Sequence, residues 1–336
     1  MNAPAAVPPY PWQAGPWGQM AQARAAGRLG HALLLAGPVG LGKGELAVAL
    51  ARALLCESPA ADESPCGRCR SCHLVAVGTH PDLTRLVPEE EGRQIRVEDV
   101  RDWRARSALT SQLGGHKVAI IEPADAMNVS AANSLLKTLE EPTPETTQIL
   151  VTAAPHRLPA TIRSRCQRVH VGTPPQEVAL RWLRAQRPDA PAALCLALAG
   201  GAPLAALALA EPAVVEARAR GVAQFVAVAE GRESPVQVAA DWLATDWPRL
   251  LGWLAGWLSD LARLRHGAAA PLHNPDQAAV FQRLAARVDS KVLYGLVDHV
   301  LQTRRATGSN LNHQLVLESL LTRWANALPT PSHRHT

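Results

Sequence analysis

The sequence is poor in aromatic residues other than tryptophan, and it contains no long apolar run. Only two Phe and two Tyr occur in 336 residues, while Ala and Leu are abundant, a composition that favours helices. No stretch of about 18 apolar residues is present, so no membrane contact is predicted. The first residues, MNAPAAVPPYPW, lack a basic segment followed by an apolar one. We therefore expect no secretory signal and a cytoplasmic location.

Neither length nor charge defines a function class. A chain of 336 residues with 47% apolar residues is long enough for two or three domains with substantial cores. Its formal net charge is +5 and its pI is about 9.1. A net positive charge of this size is compatible with a nucleic-acid partner. It is equally compatible with a mildly basic soluble protein that does not bind nucleic acid.

A phosphate-binding loop is predicted directly after a short apolar strand. The spacing Gly37-x4-Gly42-Lys43 fits the pattern G-x-x-x-x-G-K-[ST], and Gly40 lies within the loop. The last position of the pattern requires a hydroxyl and carries Gly44 instead. Because that hydroxyl normally helps to hold Mg²⁺ on the terminal phosphates, no magnesium site is expected. The loop remains suited to holding ATP or ADP without hydrolysis.

Four cysteines lie close together after the helix that follows this loop. Cys66, Cys69 and Cys72 are each separated by two residues, and Cys56 precedes them by ten. Four thiolates suit a closed tetrahedral zinc site of the structural kind. The alternatives are coincidence or a redox pair, but a disulfide framework does not fit a reducing compartment. The sequence thus predicts structural Zn²⁺ at these four residues.

The order of predicted elements indicates an α/β domain followed by helices. Apolar runs at 117–121 and 148–153 are typical of buried parallel strands. A helix capped by Ser130 lies between them, and a shorter helix is expected at 19–29. From Pro174 onward the strand signals end and only helical patterns remain. Strands alternating with helices predict a parallel sheet covered by helices on its faces.

A second nucleotide motif is expected at the end of the 117–121 strand, and it is incomplete. Active P-loop ATPases place an Asp there for magnesium, and many follow it with a Glu that polarises water. This chain has Glu122 and Pro123. Glu122 is either a weak metal contact or a solvated carboxylate, and Pro123 carries no base. Hydrolysis at this site is therefore not predicted.

Several further motifs resemble the bacterial clamp-loader branch of the AAA+ ATPases. They are the runs NSLLKTLEEP at 133–142, LP at 158–159 and TIRSRC at 161–166. The phosphate loop, the cysteines and the run GTHPD at 78–82 match the same branch in the same order, over residues 28–172. The resemblance implies an AAA+ domain at 1–172 with a zinc module at 56–72, a helical lid at 173–210 and a helical collar at 211–336.

The resemblance also implies a role for Arg165. In this family the Arg of the Ser-Arg-Cys motif reaches the ATP of a neighbouring subunit and stabilises the transferring phosphoryl group. Thr152 lies where the first phosphate sensor is found, although a buried strand Thr explains it equally well. Active members carry a sensor Arg in the lid, and 200–207 contains none. The chain therefore resembles a non-hydrolysing subunit, a component of a polymerase holoenzyme without activity of its own.

Partners follow from the same resemblance. The expected ones are the gamma/tau and delta subunits of the clamp loader and, through the complex, the sliding clamp and primer-template DNA. A basic stretch at 93–106 either follows the DNA backbone or is a solvated helix face. The segment Tyr10-Pro11-Trp12 either packs near the nucleotide pocket or is a flexible tail. Two other classes stay open: an active ATPase of the gamma/tau kind or another AAA+ DNA motor, and a zinc-dependent redox or nucleic-acid adaptor.

Overall fold

The structure is a computed structural model that describes residues 8–90, 92–113, 115–267, 271–305 and 311–328. The chain divides into two compact units. The first comprises residues 1–179 with 202–205, and the second comprises 180–201 with 206–336. No single helix in the described ranges is long and apolar enough to cross a membrane; Ala192–Leu198 and Pro203–Leu209 meet that length and composition only when joined as a bent pair.

The first unit is built on a five-stranded sheet in the order β2-β3-β4-β1-β5. Every pairing is parallel, as expected for strands that alternate with helices. The strands are β1 (Ala32–Ala36), β2 (Leu83–Leu86), β3 (Lys117–Ile121), β4 (Thr146–Thr152) and β5 (Gln167–His170). The α/β prediction is confirmed, and the predicted strand at 148–153 begins two residues earlier.

In the described part of residues 8–186, seven α-helices surround or follow this sheet: α1 (Ala14–Ala25), α2 (Lys43–Leu54), α3 (Arg70–Ala76), α4 (Val97–Ser107), α5 (Val129–Glu140), α6 (Ala160–Arg163) and α7 (Gln176–Gln186). Successive residues of β1 point to opposite faces of the sheet. Leu33 and Leu35 join one buried cluster, and Ala32 and Leu34 join another. Both faces of the sheet are therefore covered, which explains why the strands read as continuous apolar runs.

Two local predictions were wrong. The helix expected at 19–29 begins at Ala14, directly after a 3₁₀ turn at Pro11–Gln13, and ends at Ala25. Ser130 does not cap α5. Asn128 does, because its side-chain oxygen accepts a hydrogen bond from the backbone N–H of Ala131 at 2.7 Å. Asn is as good a cap as Ser, and two candidates this close cannot be separated by sequence alone.

The second unit is helical in its described part: α8 (Ala192–Leu198), α9 (Pro203–Leu209), α10 (Pro212–Ala229), α11 (Pro235–Trp242), α12 (Trp247–Arg265), α13 (Ala278–Arg287), α14 (Ser290–Arg305) and α15 (His313–Ala325). Residues 203–205 at the start of α9 belong to the first unit. Large aromatic side chains fill its core. The rings of Phe225 and Trp324 stack with centroids 4.4 Å apart, and Trp257 is fully buried beside Phe225. Truncating such a side chain to Ala costs about 3–5 kcal/mol.

Candidate functional site

The phosphate loop joins β1 to α2, and three of its glycines are required by geometry. Gly40 and Gly42 have φ angles of 79° and 74°, a region that other residues rarely adopt. A Cβ on Gly37 would lie 1.9 Å from the carbonyl oxygen of Val171. The loop therefore has the backbone form of a phosphate-binding loop at the N-terminus of a helix. The roles of these glycines in nucleotide binding stay a prediction.

The N-terminal segment closes one side of this loop. The side-chain amide of Gln13, fully buried, donates hydrogen bonds to the carbonyls of Leu41 and Gly42 at 2.9 and 2.7 Å. The indole N–H of Trp12 donates to Leu41 at 2.9 Å. A Cβ on Gly42 would lie 2.4 Å from the Tyr10 ring. Of the two interpretations of this segment, packing against the phosphate loop is the one that the structure supports, and nucleotide binding there stays a prediction.

A second segment of the same unit covers the loop at Gly40. The backbone N–H of Leu204 donates a hydrogen bond to the Gly40 carbonyl at 3.0 Å. A Cβ on Gly40 would lie 2.6 Å from that of Ala205. The loop is thus held by contacts from residues 10–13 and 204–205, both distant from it in sequence.

Lys43, the phosphate-binding lysine of the motif, is engaged by its own loop. Its ammonium donates to the Pro38 carbonyl at 2.7 Å, and the residue is only 8% exposed. Burial lowers the Lys43 pKa, although the carboxylates of Glu122, Asp125 and Glu45 favour the charged form. The Lys43 cation therefore has three acidic neighbours within its own unit.

Glu122 occupies the place next to the missing hydroxyl. One of its carboxylate oxygens lies 2.3 Å from where a Cβ on Gly44 would be. The other oxygen forms an ion pair with Arg85 of β2 at 3.4 Å. Thr152 is likewise engaged within the unit, because its hydroxyl donates to the carboxylate of Asp125 and accepts from the Ala154 N–H at 2.9 Å. The phosphate-sensing role of Thr152 stays a prediction.

The four cysteines converge at one point beside α2 and α3. The sulfurs of Cys56, Cys66, Cys69 and Cys72 all lie within 4.8 Å of one another. A tetrahedral site with Zn–S bonds of about 2.3 Å requires sulfurs spaced by roughly 3.8 Å, so small side-chain movements complete it. Cys69 also caps α3 by accepting a hydrogen bond from the Cys72 N–H at 3.3 Å. The cluster can hold a metal ion such as zinc.

Backbone N–H groups favour the thiolate at Cys66, whereas burial opposes it at Cys72. Hydrogen bonds from the N–H groups of Arg68 and Cys69 lower the pKa of Cys66 to about 6. Burial raises the pKa of Cys72 to about 12. N–H donors aimed at sulfur are what a metal-thiolate centre needs, because they stabilise the negative charge of the ligands. Cys166 and Cys195 are buried elsewhere.

Arg165 lies at the surface just after α6. Its guanidinium forms an ion pair with Glu140 at 2.7 Å and donates to the Thr161 carbonyl at 3.0 Å. The predicted basic stretch at 93–106 is partly neutralised, since Arg93 pairs with Glu90 and Arg96 with Glu89. A role of that stretch in DNA contact stays a prediction.

The fold and this site define a class. The parallel five-stranded sheet with a phosphate loop between β1 and α2, followed by a helical second unit, is an AAA+ type of architecture. Residues 12–175 match the family described as "DNA polymerase III, delta subunit", and residues 212–326 match "DNA polymerase III, delta subunit, C terminal".

Similar curated proteins carry one description over nearly the full length. The delta-prime subunit of DNA polymerase III from Pseudomonas aeruginosa is 40% identical, over 96% of this chain and 98% of that one. The Escherichia coli delta-prime subunit is 36% identical, over 94% of both. The chain belongs to the delta-prime subunit family of DNA polymerase III. The tau subunit of Escherichia coli is 35% identical over only 45% of this chain and 23% of its own.

A solved structure, a DNA polymerase III gamma subunit-related protein from Thermotoga maritima, matches with a TM-score of 0.42 and 18% identity, over 89% of this chain and 95% of that one.

Sequence reasoning missed several residues of the site. Gln13 and Asp125 belong to no recognised motif. Glu140 lies in the run at 133–142 that resembles clamp-loader proteins, but the sequence assigned it no individual role. Glu122 could be found from its place after an apolar strand, but its proximity to Gly44 of α2 joins residues 78 positions apart. Only the parallel pairing of the sheet brings these elements together.

Proposed function

We propose that this chain is a non-hydrolysing subunit of the bacterial clamp loader, which places the sliding clamp on primed DNA during replication. The observation that carries the proposal is the contact between Glu122 and Gly44. The hydroxyl that would hold magnesium is missing, and a carboxylate fills its space. Pro123 supplies no base for a water molecule. Membership of the delta-prime family supports assembly into the clamp loader. The altered phosphate loop supports the absence of ATP hydrolysis by this subunit.

In this proposal the chain contributes Arg165 to the ATP of a neighbouring gamma/tau subunit. An Arg is always charged and presents a planar fork of N–H donors that matches a phosphoryl group. Its place on the surface supports a role outside its own subunit. The second unit would join the helical collar of the complex. The match of residues 212–326 to the C-terminal family model supports this assignment.

We also propose that Cys56, Cys66, Cys69 and Cys72 hold structural zinc. The site would be closed, with four protein ligands and no open position for a substrate. In this role the metal joins the end of α2 to α3 and contributes to folding rather than to chemistry.

The test of Arg165 uses the reconstituted complex. Arg165→Ala should leave assembly intact and slow hydrolysis at the neighbouring subunit's ATP site by about 10³-fold or more. The DNA- and clamp-stimulated ATP turnover of the whole complex should therefore fall by the fraction that this one site contributes. Arg157→Ala is the matched control, since Arg157 is exposed and its side chain has no ion pair within the described ranges. Unchanged turnover with Arg165→Ala would remove the trans role.

The competing function is an active ATPase. Its support is the retained Lys43 and the match to a tau subunit over 45% of this chain. Steady ATP turnover by the purified chain, abolished by Lys43→Ala, would establish it and overturn the proposal.

A further inference from the structure

Arg165 has an acidic partner in its own subunit. Its Nη2 atom lies 2.7 Å from a carboxylate oxygen of Glu140, and its Nη1 atom donates to the Thr161 carbonyl at 3.0 Å. Glu140 is the last residue of α5. Both terminal nitrogens of the guanidinium are therefore occupied within the subunit, and the fork is held in one orientation.

The ion pair between Arg165 and Glu140 is weak enough for another anion to replace Glu140. The side chains of Arg165 and Glu140 are 37% and 50% exposed, so water screens their attraction and the pair is weak. A triphosphate offers the same kind of oxygen acceptors with more negative charge, and Arg binds phosphate as readily as carboxylate. Phosphate oxygens that approach Arg165 repel the Glu140 carboxylate, because the two anions compete for one guanidinium.

We propose that Glu140 is a positioning residue that restrains Arg165 until a neighbouring subunit's nucleotide phosphate replaces it. This inference rests on the trans role of Arg165 proposed above. The Arg165 guanidinium then alternates between two acceptors, the Glu140 carboxylate of its own helix α5 and a nucleotide phosphate in the neighbouring subunit. Engagement requires enough phosphate charge to displace Glu140, so this exchange favours a bound triphosphate over an empty site.

The test compares two adjacent carboxylates in the reconstituted complex. Glu140→Gln removes the charge and keeps the shape. It should lower the KM for ATP by about 1.4- to 5-fold, the range set by a weak exposed ion pair, with kcat at saturating ATP unchanged. Glu141→Gln is the matched control. Glu141 is the next residue, is exposed and has no ion pair in the part of the chain that the structure describes, so it should leave KM unchanged.

The double variant separates this inference from the proposed function. In the Arg165→Ala background, Glu140→Gln should have no effect on KM, because Glu140 acts only through Arg165. The inference is overturned if Glu140→Gln leaves KM unchanged or lowers kcat while Arg165→Ala still slows turnover. It is also overturned if both Gln variants lower KM equally, since a general charge effect then suffices. If Arg165→Ala has no effect, the proposed function itself fails.

Discussion

The carboxylate of Glu122 lies against Gly44, with one oxygen 2.3 Å from the position of a Cβ on residue 44. Glu122 directly follows β3 and Gly44 lies in the first turn of α2. The absence of a side chain at 44 and the presence of a long carboxylate at 122 are therefore spatially complementary.

This complementarity predicts how the phosphate loop responds when the missing hydroxyl is restored at residue 44. Gly44→Ser must displace the end of the Glu122 side chain, which is flexible and loses only a half-exposed partner, Arg85. The cost should stay within about 1 kcal/mol, partly offset because Gly is a poor helix former. We expect no gain of nucleotide binding from this change alone. Urea denaturation and titration with a fluorescent ATP analogue measure both.

The double variant Gly44→Ser with Glu122→Asp should gain magnesium-dependent nucleotide binding. It restores a hydroxyl and draws the carboxylate back, which are the two protein groups that a magnesium site needs. Gly44→Ala with Glu122→Asp is the control, because it adds the same carbon without the hydroxyl. If the unaltered chain already binds Mg-ATP as tightly as the double variant, Glu122 does not block the site.

The cysteine cluster predicts one tightly bound zinc per chain that survives dithiothreitol. Cys72→Ser should remove the metal, because Cys72 is fully buried and a hydroxyl is a poor substitute for a thiolate. Loss of the metal should lower the thermal midpoint by several degrees, since ligand binding stabilises the folded state. Metal analysis and calorimetry are the measurements. Cys195→Ser, in the second unit, should retain the zinc; a reversible disulfide among the four thiols would favour the redox alternative.

A buried ion pair in the second unit predicts a loss of stability. Arg218, only 7% exposed in its side chain, makes two hydrogen bonds of 2.9 Å to Asp276 and one of 2.7 Å to Asn274. Asp276→Asn should lower the free energy of unfolding by about 2 kcal/mol, less than the roughly 3–5 of a fully buried pair. Urea denaturation followed by tryptophan fluorescence measures it. Asp298→Asn, an exposed site in the same unit, should change little.

The same pair should show a defined pH dependence. Burial acts to raise the Asp276 pKa, but hydrogen bonds from Arg218 and Gln277 lower it below the ordinary value overall. With a lowered folded-state pKa, the stabilisation is complete above the unfolded-state pKa of about 3.9 and is lost as the pH falls through the folded-state pKa. The difference between the natural chain and Asp276→Asn should therefore shrink below about pH 4. A difference that stays constant to lower pH would contradict the ionic contribution.

The types of the elements were more predictable than their bounds, because the apolar pattern of a strand or helix is a local signal. The Trp and Leu residues of α12 recur at spacings of three and four, a local pattern that is typical of an amphipathic helix. The apolar run at 117–121 coincides with β3. The cap of α5 was less predictable, since Asn128 and Ser130 are both good capping residues and the choice depends on where the chain enters the helix.

By itself, the sequence determined the parallel α/β class, the phosphate loop without its hydroxyl and the four clustered thiols. Each of these follows from residue types at short spacings. Only the tertiary structure decided that Glu122 fills the space beside Gly44, that Gln13 closes the loop and that Glu140 holds Arg165. Such contacts join residues from 25 to 78 positions apart, and they arise only when the parallel strands order their connecting helices and loops around one edge of the sheet.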